Sequence, residues 1–303
     1  MGCSFGAATR HFDGAAPPLL PAIAGTSPVR RSAPPRTPRW PSDPESGSQS
    51  APYGAPRDGT SLAARQGTMT SGHDRFDEGV DTDVGGSRLP YRLYRPDRDL
   101  DGNHPLVLYL HGAGERGTDN RKHIEVHLGK EGAVGGAFAC EPVQTDHPHF
   151  FLAPQCPNGT SWRGTVAEAA VALVRKLMQE LPVDPDRIYV TGISMGGYGT
   201  FYVAESHPTL FAAAVPQSGG GEPRSAARIT QLPLWVFHGA LDDVVPVTAS
   251  RVMVEAIRAA GGTPRYTEYP TLGHDIWDTA YSEPALLDWL FTQRRGRPDT
   301  APR

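Results

Sequence analysis

Between residues 192 and 197 the chain reads Gly192-Ile193-Ser194-Met195-Gly196-Gly197, a serine flanked by glycines in the order G-x-S-x-G. Such a serine is suited to nucleophilic attack on a carbonyl carbon, provided a strand enters the turn and a helix leaves it. The reversal stands the hydroxyl clear of the sheet in a strained backbone conformation. Gly192 and Gly196, lacking a Cβ, let strand and helix close around it. The following helix begins with unpaired N–H groups that stabilise negative charge, and the Met195 N–H is placed to donate to an oxyanion. An ordinary glycine-rich turn with a capping serine is the competing reading. The flanks disfavour it: Arg187-Ile188-Tyr189-Val190-Thr191 has strand character, and Tyr198 to Ser206 has helical character.

A serine hydroxyl needs a base to take its proton and an acid to orient that base. In a strand–turn–helix setting these partners follow in the order Ser, Asp/Glu, His. Three histidines lie downstream: His207, His238 and His274. His207 sits at a helix end, where capping or surface exposure is expected. His238 closes a strand and reads as a packed, hydrogen-bonded residue. His274 lies in the loop after the last strand, Tyr269-Pro270-Thr271-Leu272-Gly273-His274-Asp275, where catalytic loops gather, so it is the expected base. The acid belongs to the preceding loop, His238-Gly239-Ala240-Leu241-Asp242-Asp243-Val244-Val245-Pro246. Asp242 and Asp243 both qualify, and spacing alone does not separate them.

A second oxyanion donor is expected after an early strand. His111-Gly112-Ala113-Gly114-Glu115-Arg116-Gly117 is such a loop, with the Ala113 N–H as donor. A phosphate-cradling loop is disfavoured, because neither the Walker Lys-Ser/Thr pair nor G-x-G-x-x-G is present. His123 and His127 stand one helical turn apart, but the string His-Ile-Glu-Val-His is not H-E-x-x-H, so a surface helix face is expected and no metal. Trp162 either lines the substrate pocket or packs. The chemistry calls for no cofactor.

These residues must be positioned by alternating elements. Strands are expected at Leu89–Tyr94, Leu106–Leu110, Phe150–Ala153, Arg187–Thr191, Phe211–Pro216, Leu234–Phe237 and Arg265–Tyr269. Helices are expected at Val166–Leu181, Tyr198–Ser206, Val247–Ala260 and Pro284–Gln293. Repeated βα units of this kind imply an α/β fold, a mostly parallel sheet with helices on both faces, spanning residues 75–295. Residues 118–149 are the least legible.

The 303 residues suffice for one domain with a sizeable core. Residues 1–68 differ: they are rich in Pro, Ser, Gly and Ala, with seven Arg, no Lys and four acids. That composition reads as a disordered tail, or as an extension ahead of a true start at Met69. Its charge is +3, which leaves −7 on the remainder of a chain whose net charge is −4. An acidic domain does not suit nucleic acid. No stretch reaches a membrane span or a secretory signal, and three cysteines, Cys3, Cys140 and Cys156, suggest no disulfide framework. A cytoplasmic location is the expectation.

With these residues assembled, the chain resembles the prolyl-oligopeptidase-like and dienelactone-hydrolase-like branch of the α/β hydrolases. Polyhydroxyalkanoate depolymerase-like and feruloyl-esterase-like carboxylesterases share that neighbourhood. The resemblance runs from about Leu89 to Leu290 and rests on several phrases: Leu110–Gly117, Ala153-Pro154-Gln155-Cys156-Pro157, Val183-Asp184-Pro185-Asp186-Arg187-Ile188-Tyr189, Phe211–Pro216 and Gly219-Gly220-Gly221. The family pattern H-G-x-x-D-x-x-V-P implies Asp242 as the acid, and the family histidine falls on His274, followed by Trp277 and Tyr281. Dienelactone hydrolases carry Cys where this chain has Ser194, and no propeller or accessory domain is recognisable. The resemblance therefore implies a carboxylesterase acting on a small-molecule ester. A serine peptidase or amide hydrolase with the same triad, and a catalytically inactive binding protein, are the alternatives.

Overall fold

Within strand β3 (His104–Leu110) the side chains divide by parity. Leu106, Leu108 and Leu110 join one apolar cluster, and Val107 and Tyr109 join the other. All five are at most 2% exposed, so the strand is covered on both faces. This is the period-two signature of a central parallel strand. The computed structural model describes residues 75–82, 88–96, 101–128 and 138–297, with the backbone alone for residues 126–128. The expected tail at residues 1–68 lies outside the described residues.

The remaining strands are β1 (Phe76–Asp81), β2 (Leu89–Tyr94), β4 (Phe150–Pro154), β5 (Val183–Ile193), β6 (Ala213–Gln217), β7 (Trp235–Gly239) and β8 (Arg265–Tyr269). They form one eight-stranded sheet in the order β1-β2-β4-β3-β5-β6-β7-β8. The β1–β2 and β2–β4 pairs are antiparallel, and every pair from β4 onward is parallel. This is the α/β-hydrolase fold.

Helices are α1 (Lys122–Leu128), α2 (Glu141–Asp146), α3 (Gly164–Glu180), α4 (Met195–Ser206), α5 (Thr248–Ala259), α6 (Trp277–Tyr281) and α7 (Pro284–Thr292). The first apolar cluster takes Leu173 and Val174 of α3, Phe201 of α4 and Met253 of α5. The second takes Ala280 of α6 and Leu286, Trp289 and Leu290 of α7. Helices therefore cover both faces, as the alternation of elements predicts. Each fully buried Leu of this kind contributes roughly 1.5–3 kcal/mol of transfer free energy. No helix among the described residues is long and apolar enough to cross a membrane.

Polar side chains are also buried inside this frame, Glu205 and His123 among them. Glu205, in the last turn of α4, is 7% exposed, and its Oε1 has no hydrogen-bond partner. Burial pushes its carboxyl up to about 7, against the Glu222 N–H and the charge of Arg163, which favour ionisation. His123 of α1 is fully buried, with Nε2 2.9 Å from the Ala153 carbonyl, so the surface-face expectation for it is corrected. The side chain of His127 lies outside the described residues.

Candidate active site

Ser194 follows the last residue of β5 and caps α4 with φ 53° and ψ −115°. A non-glycine residue in that region is strained, and the surroundings must hold it there. Its N–H donates to the Gln217 carbonyl at 3.0 Å, and its own carbonyl accepts from Tyr198 N–H at 3.1 Å. A Cβ on Gly196 would collide with the Leu110 backbone, and one on Gly192 with the Gly196 carbonyl. Those two glycines are needed for strand β3, strand β5 and helix α4 to meet at the turn.

Ser194 Oγ lies 2.9 Å from His274 Nε2, and His274 Nδ1 lies 2.8 Å from Asp242 Oδ2. Because Nδ1 faces a carboxylate, it carries the ring hydrogen. Nε2 is then a lone pair that accepts the serine proton. The Asp242 side chain has no solvent exposure, whereas Asp243 is exposed, so the structure brings Asp242 and not Asp243 to the imidazole. The other carboxylate oxygen of Asp242 accepts from Val244 N–H at 2.9 Å and Val245 N–H at 2.8 Å. The acid and base loops are tied to each other. Ala240 N–H donates to the Tyr269 carbonyl at 2.9 Å and Leu241 N–H to the Leu272 carbonyl at 3.0 Å. Trp277 stands edge-on to the His274 ring, with centroids 5.7 Å apart.

Met195 opens α4, and Ala113 opens a 3-10 turn, Ala113–Glu115, directly after β3. The first N–H groups of such turns have no partner inside the turn, so both are available to a developing oxyanion. Arg116 Nε donates to Met195 Sδ at 3.3 Å and links the two segments. The loop is further braced from β4. Cys156 N–H donates to His111 Nε2 at 2.8 Å, which leaves the ring hydrogen on Nδ1, aimed at the Gly112 carbonyl 2.6 Å away. Gly117 N–H donates to the Cys156 carbonyl at 3.0 Å, and the buried Gln155 amide donates to the Glu115 carbonyl at 3.2 Å. Burial raises the Glu115 carboxyl above the usual carboxylate range, opposed by its own N–H and that of Gly112.

Trp162 is 1% exposed, and its indole N–H donates to the His111 carbonyl at 2.9 Å. The pocket-lining alternative for Trp162 is therefore corrected. The ring packs beneath the His111–Gly117 loop, and a tryptophan with its polar atom paired in this way is a core residue. Cys140 and Cys156 are free thiols. His207 caps α4 through its backbone, and its ring lies 3.2 Å from Glu168. Sequence reasoning missed Gln155 and Cys156 as braces, and it passed over Ser218, whose Oγ donates to the His274 carbonyl at 3.0 Å.

The model of the prolyl oligopeptidase family matches residues 160–232. A poly(3-hydroxyoctanoate) depolymerase of Pseudomonas fluorescens is 29% identical over 214 residues, which are 62% of this chain and 74% of that protein. A carboxylesterase of Arabidopsis thaliana is 27% identical over 219 residues, 64% of this chain and 93% of that protein. Among solved structures, a thermostable esterase superposes with a TM-score of 0.68 at 41% identity, covering 74% of this chain and 64% of its own. With the eight-stranded sheet, the strained serine and these similarities together, the chain has the α/β-hydrolase fold and is similar to esterase and prolyl-oligopeptidase-like proteins of that fold.

Proposed function

We propose that this protein is a serine carboxylesterase in which Ser194 is the nucleophile, His274 the general base and Asp242 its orienting acid. The observation that carries this reading is the unbroken line from Ser194 Oγ through both ring nitrogens of His274 to a buried carboxylate. His274 takes the Ser194 proton as the hydroxyl oxygen attacks the ester carbonyl. The resulting oxyanion is held by the N–H groups of Ala113 and Met195. His274 then protonates the departing alcohol, and water attacks the acyl-serine by the same route in reverse. Ser194 is 7% exposed and the His274 side chain 14%, so the reacting atoms are mostly covered yet still open to solvent.

Covalent labelling by a fluorophosphonate probe tests the reading. The wild type is expected to label and Ser194→Ala is not, whereas an unlabelled wild type refutes the nucleophile. The match to the prolyl oligopeptidase family model favours amide hydrolysis as a second reading. Paired p-nitrophenyl esters and p-nitroanilides of the same acyl groups separate the two, with preference for the ester expected.

A further inference from the structure

Three consecutive residues at the end of β6 hold all three loops of the site. Gln217 accepts the Ser194 N–H, and the Ser218 hydroxyl donates to the His274 carbonyl. The Gly219 carbonyl lies 2.8 Å from Ser250 Oγ, and Ser250 Oγ lies 2.7 Å from Nδ1 of His238. His238 is fully buried at the end of β7, with Nε2 2.9 Å from the Val245 carbonyl and 3.1 Å from Asp242 Oδ2. We infer that His238 is a positioning residue for the acid: it shares its Nε2 hydrogen between the Val245 carbonyl and the same carboxylate oxygen that His274 uses, and so sets how strongly Asp242 draws on the His274 ring.

Proton placement supports this. Nε2 faces two oxygens, a carbonyl and a carboxylate. A lone pair there would be repelled by both, so Nε2 carries a hydrogen. Burial lowers the His238 ring below the ordinary histidine range, against the Val245 carbonyl and Asp242, which raise it. At neutral pH the ring then holds one hydrogen, on Nε2, and Nδ1 is a lone pair facing Ser250 Oγ, whose single hydrogen is divided between Nδ1 and the Gly219 carbonyl. The charged and titratable groups around the ring are few. Asp242 lies on its own loop and His274 on the loop after β8. Glu268 stands opposite it in the β7–β8 register. Glu268 is engaged by Arg251 at 2.6 and 2.9 Å and by the Tyr266 hydroxyl at 2.6 Å. Those partners hold it down to about 2. Asp242 is therefore the carboxylate that His238 touches directly.

The consequence is electrostatic. Oδ1 of Asp242 takes two backbone N–H groups, and Oδ2 is shared by two imidazoles. Each donor withdraws charge from the carboxylate, so removing the His238 N–H leaves more of it for His274 and raises the proton affinity of that ring.

The test is titration of the His274 ring by NMR on the full-length protein, its resonance identified by loss in His274→Asn, in wild type, His238→Leu, His238→Gln and Ser250→Ala. A Gln amide nitrogen can occupy the place of Nε2. The His274 midpoint is expected to move up by roughly half a pH unit or more in His238→Leu. It is expected to stay at the wild-type value in His238→Gln and to move less, in the same direction, in Ser250→Ala. The acid limb of kcat/KM for p-nitrophenyl butyrate should follow, with the loss in kcat and not in KM. Equal midpoints in all four proteins, or equal shifts for Leu and Gln, would overturn the role. If His238→Leu does not fold, Ser250→Ala decides by the presence or absence of its shift. The kinetic arm rests on the esterase reading and the titration does not. A shifted ring in a protein that hydrolyses no ester therefore refutes only the esterase.

Discussion

Replacing Glu205 by Gln should stabilise the protein at neutral and alkaline pH but not in acid. The carboxyl is 7% exposed with one oxygen unpartnered, and burial lifts it from 4.5 to about 7. A carboxyl raised in the folded state binds a proton there at a pH where the unfolded chain has already released it. Stability is then lost as pH rises from about 4.5 to about 7, and the full penalty persists above that. At ~1.4 kcal/mol per pH unit the ceiling is about 3 kcal/mol. That value already includes the opposing charges of Arg163 and Arg228; solvent reaches the group at its edge, so about 1–2 kcal/mol is the expected gain. For a domain of this size that is roughly 3–6 °C in Tm. Thermal melts of the wild type and Glu205→Gln at intervals from pH 4.5 to 8.5 measure it. The curves should coincide near pH 4.5, diverge through pH 6 and run parallel above pH 7.5. A difference independent of pH, or a variant less stable at pH 8, would refute the account of a strained carboxyl.

Other outcomes follow from the same geometry. Asp242→Asn should lower kcat by about 10⁴-fold, because an amide no longer enforces the Nδ1–H tautomer of His274. Asp243→Asn should leave kcat within a few-fold, and steady-state kinetics on one ester compares the two. Gly196→Ala should abolish soluble expression or lower Tm sharply, since the added Cβ meets the Leu110 backbone and no flexible side chain can yield; normal expression with full activity would contradict the close approach. Removing residues 1–68 should leave a folded, active domain, as circular dichroism and ester turnover would register.

Much of the fold is legible because its strands are apolar runs closed by turn residues. β2 and β8 begin and end where alternation predicts. β5 starts earlier than Arg187 because Val183 pairs with His104 ahead of a register irregularity, a contact that no local pattern announces. β1 is invisible in the sequence, since Phe-Asp-Glu-Gly-Val-Asp at a sheet edge buries little beyond its ends. α1 and α2 are too short to display a helical period. At the site, residue order reaches the serine, the histidine and a choice between two aspartates, because turn chemistry and strand ends are local. The roles of His238, Ser250 and Ser218 depend on how β6, β7 and α5 pack. The packing of Trp162 and the burial of His123 are hidden for a related reason: whether an amphipathic ring faces solvent or a backbone carbonyl is decided across 51 and 30 residues of chain.

Because Gln217, Ser218 and Gly219 carry the alignment of nucleophile, base and acid, the outer parts of the loops are released from that duty. On the acid loop, Leu241 and Val244 are 64% and 62% exposed, although each is next or next but one to Asp242. Ser218 adopts φ 44°, a conformation few side chains tolerate, so the alignment is concentrated at a point with little room to vary. A molecule divided in this way can change what it grips without disturbing how it cuts. Mutational drift at the loop tips alters the company the reacting carbonyl keeps, while three residues at a strand end act as the jig that keeps the chemistry in register.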